Sequence, residues 1–158
     1  PHENNIAAKA IAFKEALQPE FKTYAQQIKK NAKVLEQEFQ TRGYDLCFGG
    51  TDNHLLLVNL TNKNVTGQQA EVALDKAAIT VNKNTIPDDT RSPMDPSGIR
   101  FGTPALTTRG MKEDEMQKIA DWMDRAITTH DQDDELEKIR QEVKQLTSQF
   151  PLYPNLKY

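Results

Sequence analysis

The spacing of apolar residues changes twice along this chain of 158 residues, and those changes constrain the fold more than any other feature. Between Pro19 and Gly43 the apolar residues recur at helical spacing, which is typical of a helix that buries one face. From Tyr44 the spacing shortens to the alternation of strands, and after Gly110 helical spacing returns. Helices are therefore expected on both sides of a strand-forming region. The first helical stripe comprises Phe21, Tyr24, Ile28, Ala32, Leu35 and Phe39.

The region from 44 to 82 is predicted to supply strands and one short helix. The segments YDLCF and HLLLVNL alternate as strands do, and the intervening GGTDN contains turn-forming residues, so an antiparallel hairpin is expected. Thr66 and Gln69 have the spacing of a capping box, which predicts a helix that runs to Ala78. The segment ITVN then resumes the sheet.

A long loop and a strand with a central arginine come next. The loop from Lys83 to Ser97 contains three prolines, and loops of this length in compact domains are often functional. In the following strand Ile99 and Phe101 are expected to face the core, so that Arg100 projects from the opposite face. A guanidinium can bind a carboxylate through two parallel hydrogen bonds, and the Gly-Thr-Pro bend beside it favours a rigid position. The residues alone leave two interpretations: the arginine binds an anion, or it simply faces water.

Composition limits the classes of protein to which the chain can belong. With 37% hydrophobic and 27% charged residues, one globular domain is expected. The net charge of -3 does not suit nucleic-acid binding, and the longest apolar run, Leu55 to Val58, is too short to cross a membrane. The single cysteine, Cys47, is interpreted as a core residue in a reducing compartment, which indicates a cytoplasmic location. Because the chain begins with Pro1, it is expected to be part of a longer protein.

Few residues have the spacing of a catalytic or metal site. The histidines at positions 2, 54 and 130 are scattered and the cysteine has no companion, so no metal site is expected. No serine or cysteine is arranged with a histidine as a nucleophile and its base. Asn82 and Asn84 offer amide groups that could bind a planar heterocycle, although asparagines in loops more often form turns.

Several longer stretches resemble consecutive motifs of one enzyme family. They are YDLCFGGTDNHLLLVNL, ITVNKNTIPDD and SGIRFGTPALTTRG, and the opening IAAKAIAFKEALQPEFKTYAQQIKKNAK is similar to the same family. The family is serine hydroxymethyltransferase, whose members use pyridoxal phosphate to interconvert serine and glycine with tetrahydrofolate. The resemblance covers nearly the whole chain.

The resemblance implies that residues 1–158 form the small C-terminal α+β domain of a fold-type-I enzyme, in which a small antiparallel or mixed sheet is flanked by helices. Leading helices would lie in 1–42, the sheet with one helix and the proline-rich loop in 43–104, and the C-terminal helices in 105–158. The family's larger domain holds the cofactor and its lysine, so no catalytic or cofactor-binding residue is expected in this chain, which alone should be inactive. Together with its own large domain, the full-length protein is expected to form a homodimer or tetramer.

The resemblance also assigns roles to three residues. Arg100 matches the arginine that pairs with the carboxylate of the amino-acid substrate, and Asn84 matches a position that contacts the pterin ring of the folate. Arg109 matches another arginine near the site, with a secondary or structural role. The sequence SPMDPSGIR departs from the bacterial pattern SPFVTSGIR at residues 94–96, on the folate side. Two alternatives stay open: a non-catalytic interaction module, and a domain of another fold-type-I enzyme such as an aminotransferase.

Overall fold

The computed structural model describes residues 2–153 and confirms the α+β class. Within that range it contains six α-helices and four strands. The helices are α1 Glu3–Ala16, α2 Pro19–Thr41, α3 Gly67–Lys76, α4 Pro104–Thr108, α5 Glu113–Thr128 and α6 Asp133–Ser148. The strands are β1 Asp45–Leu46, β2 Leu55–Asn59, β3 Asn82–Asn84 and β4 Gly98–Gly102. The last residues of the C-terminal segment predicted for 105–158 lie outside the described range.

The four strands form one sheet in the order β1-β2-β4-β3, and each neighbouring pair is antiparallel. The strand β4 is therefore an inner strand, with Leu57 of β2 and Asn82 of β3 as the register partners of Arg100. Ile99 is fully buried and Phe101 partly buried, with the Phe101 ring 5.2 Å from that of Phe39. The predicted alternation along β4 is confirmed, and one face of the sheet packs on the helices while the other is free to form a site.

The helices supply the other side of the core through the predicted apolar stripes. The helical spacing expected after Gly110 is confirmed, since α5 and α6 each bury an apolar stripe, and Phe150, just beyond α6, is partly covered. In α2 the stripe is buried from Ala32 onward, but Phe21 remains 43% exposed. The prediction is wrong at this residue because the neighbouring helix α1 buries none of its own residues and therefore gives the first turn of α2 little cover. None of the described helices has both the length and the apolarity that a membrane span requires.

The end of the first strand and the beginning of the third differ from those predicted. The hairpin is antiparallel as expected, but its first strand ends at Leu46 because residues 47–49 form a tight 3₁₀ turn with Phe48 at φ 62°. The third strand begins only at Asn82, so most of the predicted segment ITVN is irregular. The capping box of α3 is confirmed, since the Gln69 amide donates to Thr66 Oγ1 and the Thr66 amide donates to Gln69 Oε1.

Candidate functional site

An open cleft of about 540 Å³ lies against the outer face of the sheet. Its base is formed by the inner strands β2 and β4, one wall by the turn at residues 47–53, and another by a turn of α2. Both Arg100 and Asn84 line this cleft, whereas Arg109 does not. The structure thus brings together two of the three residues to which the sequence assigned a role.

Arg100 occupies the middle of the cleft base. Because side chains alternate along a strand, the guanidinium leaves the sheet on the face opposite the core, beside Leu57 and Asn82. The side chain is exposed, and among residues 2–153 it forms neither a hydrogen bond nor an ion pair. A guanidinium has five N–H donors in a planar fork, so all of them remain available for a ligand such as a carboxylate.

Asn84 lies at the end of β3 and shares the outer face with Arg100. It is two residues beyond Asn82, the register partner of Arg100, and residues two apart on a strand project to the same side. Its Nδ2 donates to the carbonyl of Thr85 at 2.6 Å, and the side chain is partly buried. Within the described part of the chain its Oδ1 accepts no hydrogen bond, so this oxygen can accept one from a ligand in the cleft.

Arg109 follows the short helix α4 and contacts a different part of the fold. Its Nη1 donates to the carbonyl of Phe150 at 2.9 Å, just beyond the end of α6. The contact ties the end of α4 to the end of the last helix. Arg109 therefore lies apart from the cleft and makes a structural contact there.

Glu36 is a residue of the cleft that the sequence did not single out. Its carboxylate accepts a hydrogen bond from the Thr51 amide at 2.8 Å and forms an ion pair with Lys33 at 2.9 Å. Gly50 has φ 145°, a backbone conformation that favours glycine, and a Cβ there would lie 2.6 Å from the Glu36 carboxyl carbon. In the sequence, Gly49 and Gly50 indicated a tight turn, but they did not indicate that this turn contacts Glu36 of α2.

The turn that follows β1 places Cys47 differently from expectation and exposes Phe48 beside it. Cys47 was predicted to be a core residue, but it is only partly buried and lines the cleft, because the chain turns out of the sheet after Leu46. Burial and the nearby Asp45 carboxylate raise the pKa of its thiol, so the thiol is protonated near neutral pH. Phe48 stands on the rim of the cleft with 89% of its surface exposed.

The charges in the cleft leave one cation available for a ligand. Two cationic and two acidic residues line it, and Lys33 is held by Glu36. Asp52 lies on the turn at residues 47–53, while Arg100 lies on the sheet and has no acidic partner among the described residues. In the range 2–153, no three metal-ligating side chains lie together as a metal ion requires. With Arg100 and Asn84 together, the cleft is suited to bind an anionic group at the guanidinium and a planar polar group at the amide.

Comparison with known proteins gives a consistent result. A family model described as serine hydroxymethyltransferase matches residues 1–123. Two relatives, each described as serine hydroxymethyltransferase, come from Coxiella burnetii strains Dugway 5J108-111 and RSA 331 / Henzerling II. Each is 52% identical to this chain over 151 residues, which are 96% of the chain and 36% of the relative. The chain therefore spans little more than a third of the length of these relatives.

Proposed function

Because this chain belongs to the serine hydroxymethyltransferase family, we propose that it is the small C-terminal domain of an enzyme that interconverts serine and glycine with tetrahydrofolate. The observation that carries the proposal is the shared cleft on the outer face of the sheet, where Arg100 and Asn84 lie on one surface. In this proposal the domain binds and orients the two substrates.

Arg100 receives the carboxylate of serine or glycine. Its position on an inner strand fixes the backbone from both sides, and its donors are not used by other described residues. Two parallel N–H donors match two carboxylate oxygens, so the ligand is held in orientation as well as in place. A lysine at this position would keep the charge but lose the planar pair of donors.

Asn84 contacts the heterocyclic ring of the folate. Pterin-like rings carry alternating donors and acceptors at their edge, and the free amide oxygen of Asn84 can accept from one of the ring's N–H groups. The loop after β3 borders the same end of the cleft, since it joins the strand of Asn84 to that of Arg100. Met94, Asp95 and Pro96, where the sequence departs from the bacterial pattern, belong to this loop.

The cleft residues of this chain do not by themselves suit pyridoxal phosphate. When bound, that cofactor serves as an electron sink for bonds at the substrate's α-carbon. Its phosphate is commonly held at a helix N-terminus, yet no described α-helix begins among the residues that line the cleft. The lysine among these residues, Lys33, already donates to Glu36. The proposal therefore assigns the cofactor to another part of the enzyme, and Arg100 to orientation rather than to chemistry at the reacting bond.

The remaining parts of the proposal concern the intact protein. Residues 1–158 alone are proposed to be inactive, since they span 36% of the relatives and form a cleft that is open on one side. The full-length enzyme is proposed to be a cytoplasmic homodimer or tetramer. One cysteine in the sequence, which is only partly buried, is in keeping with a reducing compartment.

The test is a comparison of Arg100→Ala and Arg100→Lys with the parent in the full-length protein. Removing one partner of a desolvated ion pair costs about 2–5 kcal/mol, so serine kcat/KM should fall between about 30-fold and several thousand-fold. Cofactor absorbance should be unchanged, since Arg100 is not proposed to hold the cofactor. Arg140→Ala is the matched control, because Arg140 donates to the Lys76 carbonyl and does not line the cleft. A normal serine KM in Arg100→Ala would refute the proposed role.

A further inference from the structure

The loop of residues 85–97, here called the proline loop, connects the two proposed substrate-binding residues. It leaves β3 immediately after Asn84 and enters β4 two residues before Arg100. The carboxylate of Asp89 lies inside this loop and is partly buried. The relative position of Asn84 and Arg100 therefore depends on how the loop is held, and Asp89 is the residue placed to hold it.

Asp89 binds both ends of the proline loop with a single carboxylate. One oxygen, Oδ2, accepts from the Ile86 amide at 3.2 Å and from the Ser97 amide at 3.0 Å. The other, Oδ1, accepts from Ser97 Oγ at 2.7 Å and from the Arg91 amide at 3.0 Å. Ile86 lies two residues after Asn84 and Ser97 three residues before Arg100, so the carboxylate joins the two strands beyond the end of their ladder.

The packing at this end of the sheet leaves little room for adjustment. Asn84 is paired with Gly98, and a Cβ on Gly98 would lie only 2.6 Å from Ile86 Cγ2 and 2.8 Å from the Val58 carbonyl. Ile86 thus sits directly over the start of β4. If the Asp89 hydrogen bonds were lost, Ile86 and Ser97 could separate, and the two strands would change their relative position where Asn84 stands.

From these contacts we infer that Asp89 is a positioning residue, which sets the geometry between Asn84 and Arg100 so that folate and amino acid bind together. The inference rests on the proposed function of the cleft. Asp89 does not itself line the cleft and acts through Ile86 and Ser97. Burial raises the pKa of Asp89, but the hydrogen bonds from Ser97, Arg91 and Ile86 outweigh it and lower the pKa to about 2. The carboxylate is therefore ionised at neutral pH, which strengthens each of its hydrogen bonds.

The test uses the full-length enzyme with the variants Asp89→Ala and Asp89→Asn. A small misplacement of binding groups can cost up to about 100-fold, so Asp89→Ala should raise KM for serine and for tetrahydrofolate together by about 10-fold to 100-fold. Cofactor absorbance should not change. Asp89→Asn keeps one acceptor oxygen and should be intermediate. The matched control is Asp88→Asn, since Asp88 is exposed, makes no hydrogen bond through its carboxylate within the described chain, and has φ 54°, which asparagine tolerates.

Ser97→Ala provides a second and milder test in case Asp89→Ala does not fold. It removes only the hydroxyl donor at 2.7 Å and should raise both KM values severalfold in the parent. In the Asp89→Ala background the same change should have no further effect, because its partner is already absent. If Asp89 has only a structural role, the variants will lower the unfolding temperature and leave both KM values within about twofold of the parent.

The Arg100 variants separate this inference from the proposed function. If Arg100→Ala loses serine binding while Asp89→Ala and Ser97→Ala keep normal KM values, the positioning role is refuted and the proposed function stands. If Arg100→Ala also binds serine normally, the proposed function itself fails, and the positioning role with it. If Asp89→Ala and Ser97→Ala raise KM for serine and for tetrahydrofolate together, and Arg100→Ala loses serine binding, the positioning role and the proposed function are both supported.

Discussion

Asn31 allows a demanding prediction, because it joins the helix α2 to the segment that follows the arginine strand. The side chain is completely buried. Its Nδ2 donates to Thr107 Oγ1 at 2.9 Å and to the Met111 carbonyl at 3.0 Å, and its Oδ1 accepts from Gln27 Nε2 at 2.9 Å. Substitution by alanine should leave the Met111 carbonyl buried without a donor, since Met111 is itself buried.

The size of the effect can be worked out from these contacts. An unsatisfied buried acceptor costs about 1–3 kcal/mol, and the small cavity left by the amide adds to this, so Asn31→Ala should lower the free energy of unfolding by about 2–4 kcal/mol. For a chain of this size 1 kcal/mol corresponds to about 2–4 °C, which gives a fall in Tm of about 5–15 °C. Asn31→Asp should destabilise at least as much, because a carboxylate oxygen would then face the Met111 carbonyl.

The measurement is urea unfolding of the chain followed by far-UV circular dichroism, with Tm from a thermal scan. Asn62→Ala is the matched control, since the exposed Asn62 side chain makes one hydrogen bond within the described chain, from its Nδ2 to the Gly43 carbonyl. That control should change the free energy of unfolding by no more than about 0.5 kcal/mol. If Asn31→Ala costs less than about 1 kcal/mol, or no more than the control, then the Asn31 hydrogen bonds do not fix α2 to α4 and Met111.

Three further predictions concern packing, pH and association. Gly67→Ala should cost about 1–3 kcal/mol in urea unfolding, because the new Cβ would lie 2.3 Å from the Gly98 carbonyl oxygen; an unchanged midpoint would contradict this contact. The pKa of Asp89 is lowered from 3.8 to about 2, so the ionised carboxylate stabilises the fold fully above pH 3.8, and this contribution is lost as the pH falls towards 2. Asp89→Asn should therefore make the free energy of unfolding fall less steeply with pH in this acid range. An equally steep fall in the parent and the variant would count against this prediction. The chain alone should self-associate through α1, where Ile11 and Phe13 are 60% and 69% exposed, and Phe13→Lys should weaken this association. A strict monomer in sedimentation at high concentration, or association that Phe13→Lys leaves unchanged, would rule this out.

The sequence predicted helices on both sides of a strand region and the face of the sheet on which Arg100 lies, because both follow from short-range periodicity. Alternation along β4 needs only the residues of that strand, and the capping box of α3 needs only four. It did not predict where the first strand ends. Phe48 adopts φ 62° without being glycine or asparagine, so nothing in its residue type indicated the turn that carries Cys47 out of the sheet and into the cleft.

The composition of the cleft was the least predictable part, since it depends on contacts between distant segments. The Glu36 carboxylate accepts a hydrogen bond from the Thr51 amide, which lies in a distant turn. In the sequence, nothing distinguishes Glu36 from the other charged residues of the amphipathic helix α2. Asn84 could be placed beside Arg100 only with the register of β3 against β4, which the proline loop between them conceals. The roles expected of Asn84 and Arg100 came from family resemblance, while their shared face came from the structure.

The surroundings of Arg100 combine a fixed backbone with an unconstrained side chain. At one end of β4, Ser97 donates to Asp89, and at the other end Thr103 Oγ1 donates to the Ile28 carbonyl at 2.8 Å. Neighbouring strands hold the backbone on both sides, so little of the cost of ordering it remains to be met when a ligand binds. The guanidinium, however, faces an open cleft, and an ion pair in contact with water contributes only about 0–1 kcal/mol. Strong binding of a carboxylate by Arg100 therefore requires that the open side of the cleft be covered. The additional affinity would come from excluding water from the ion pair, and not from a change in β4 itself.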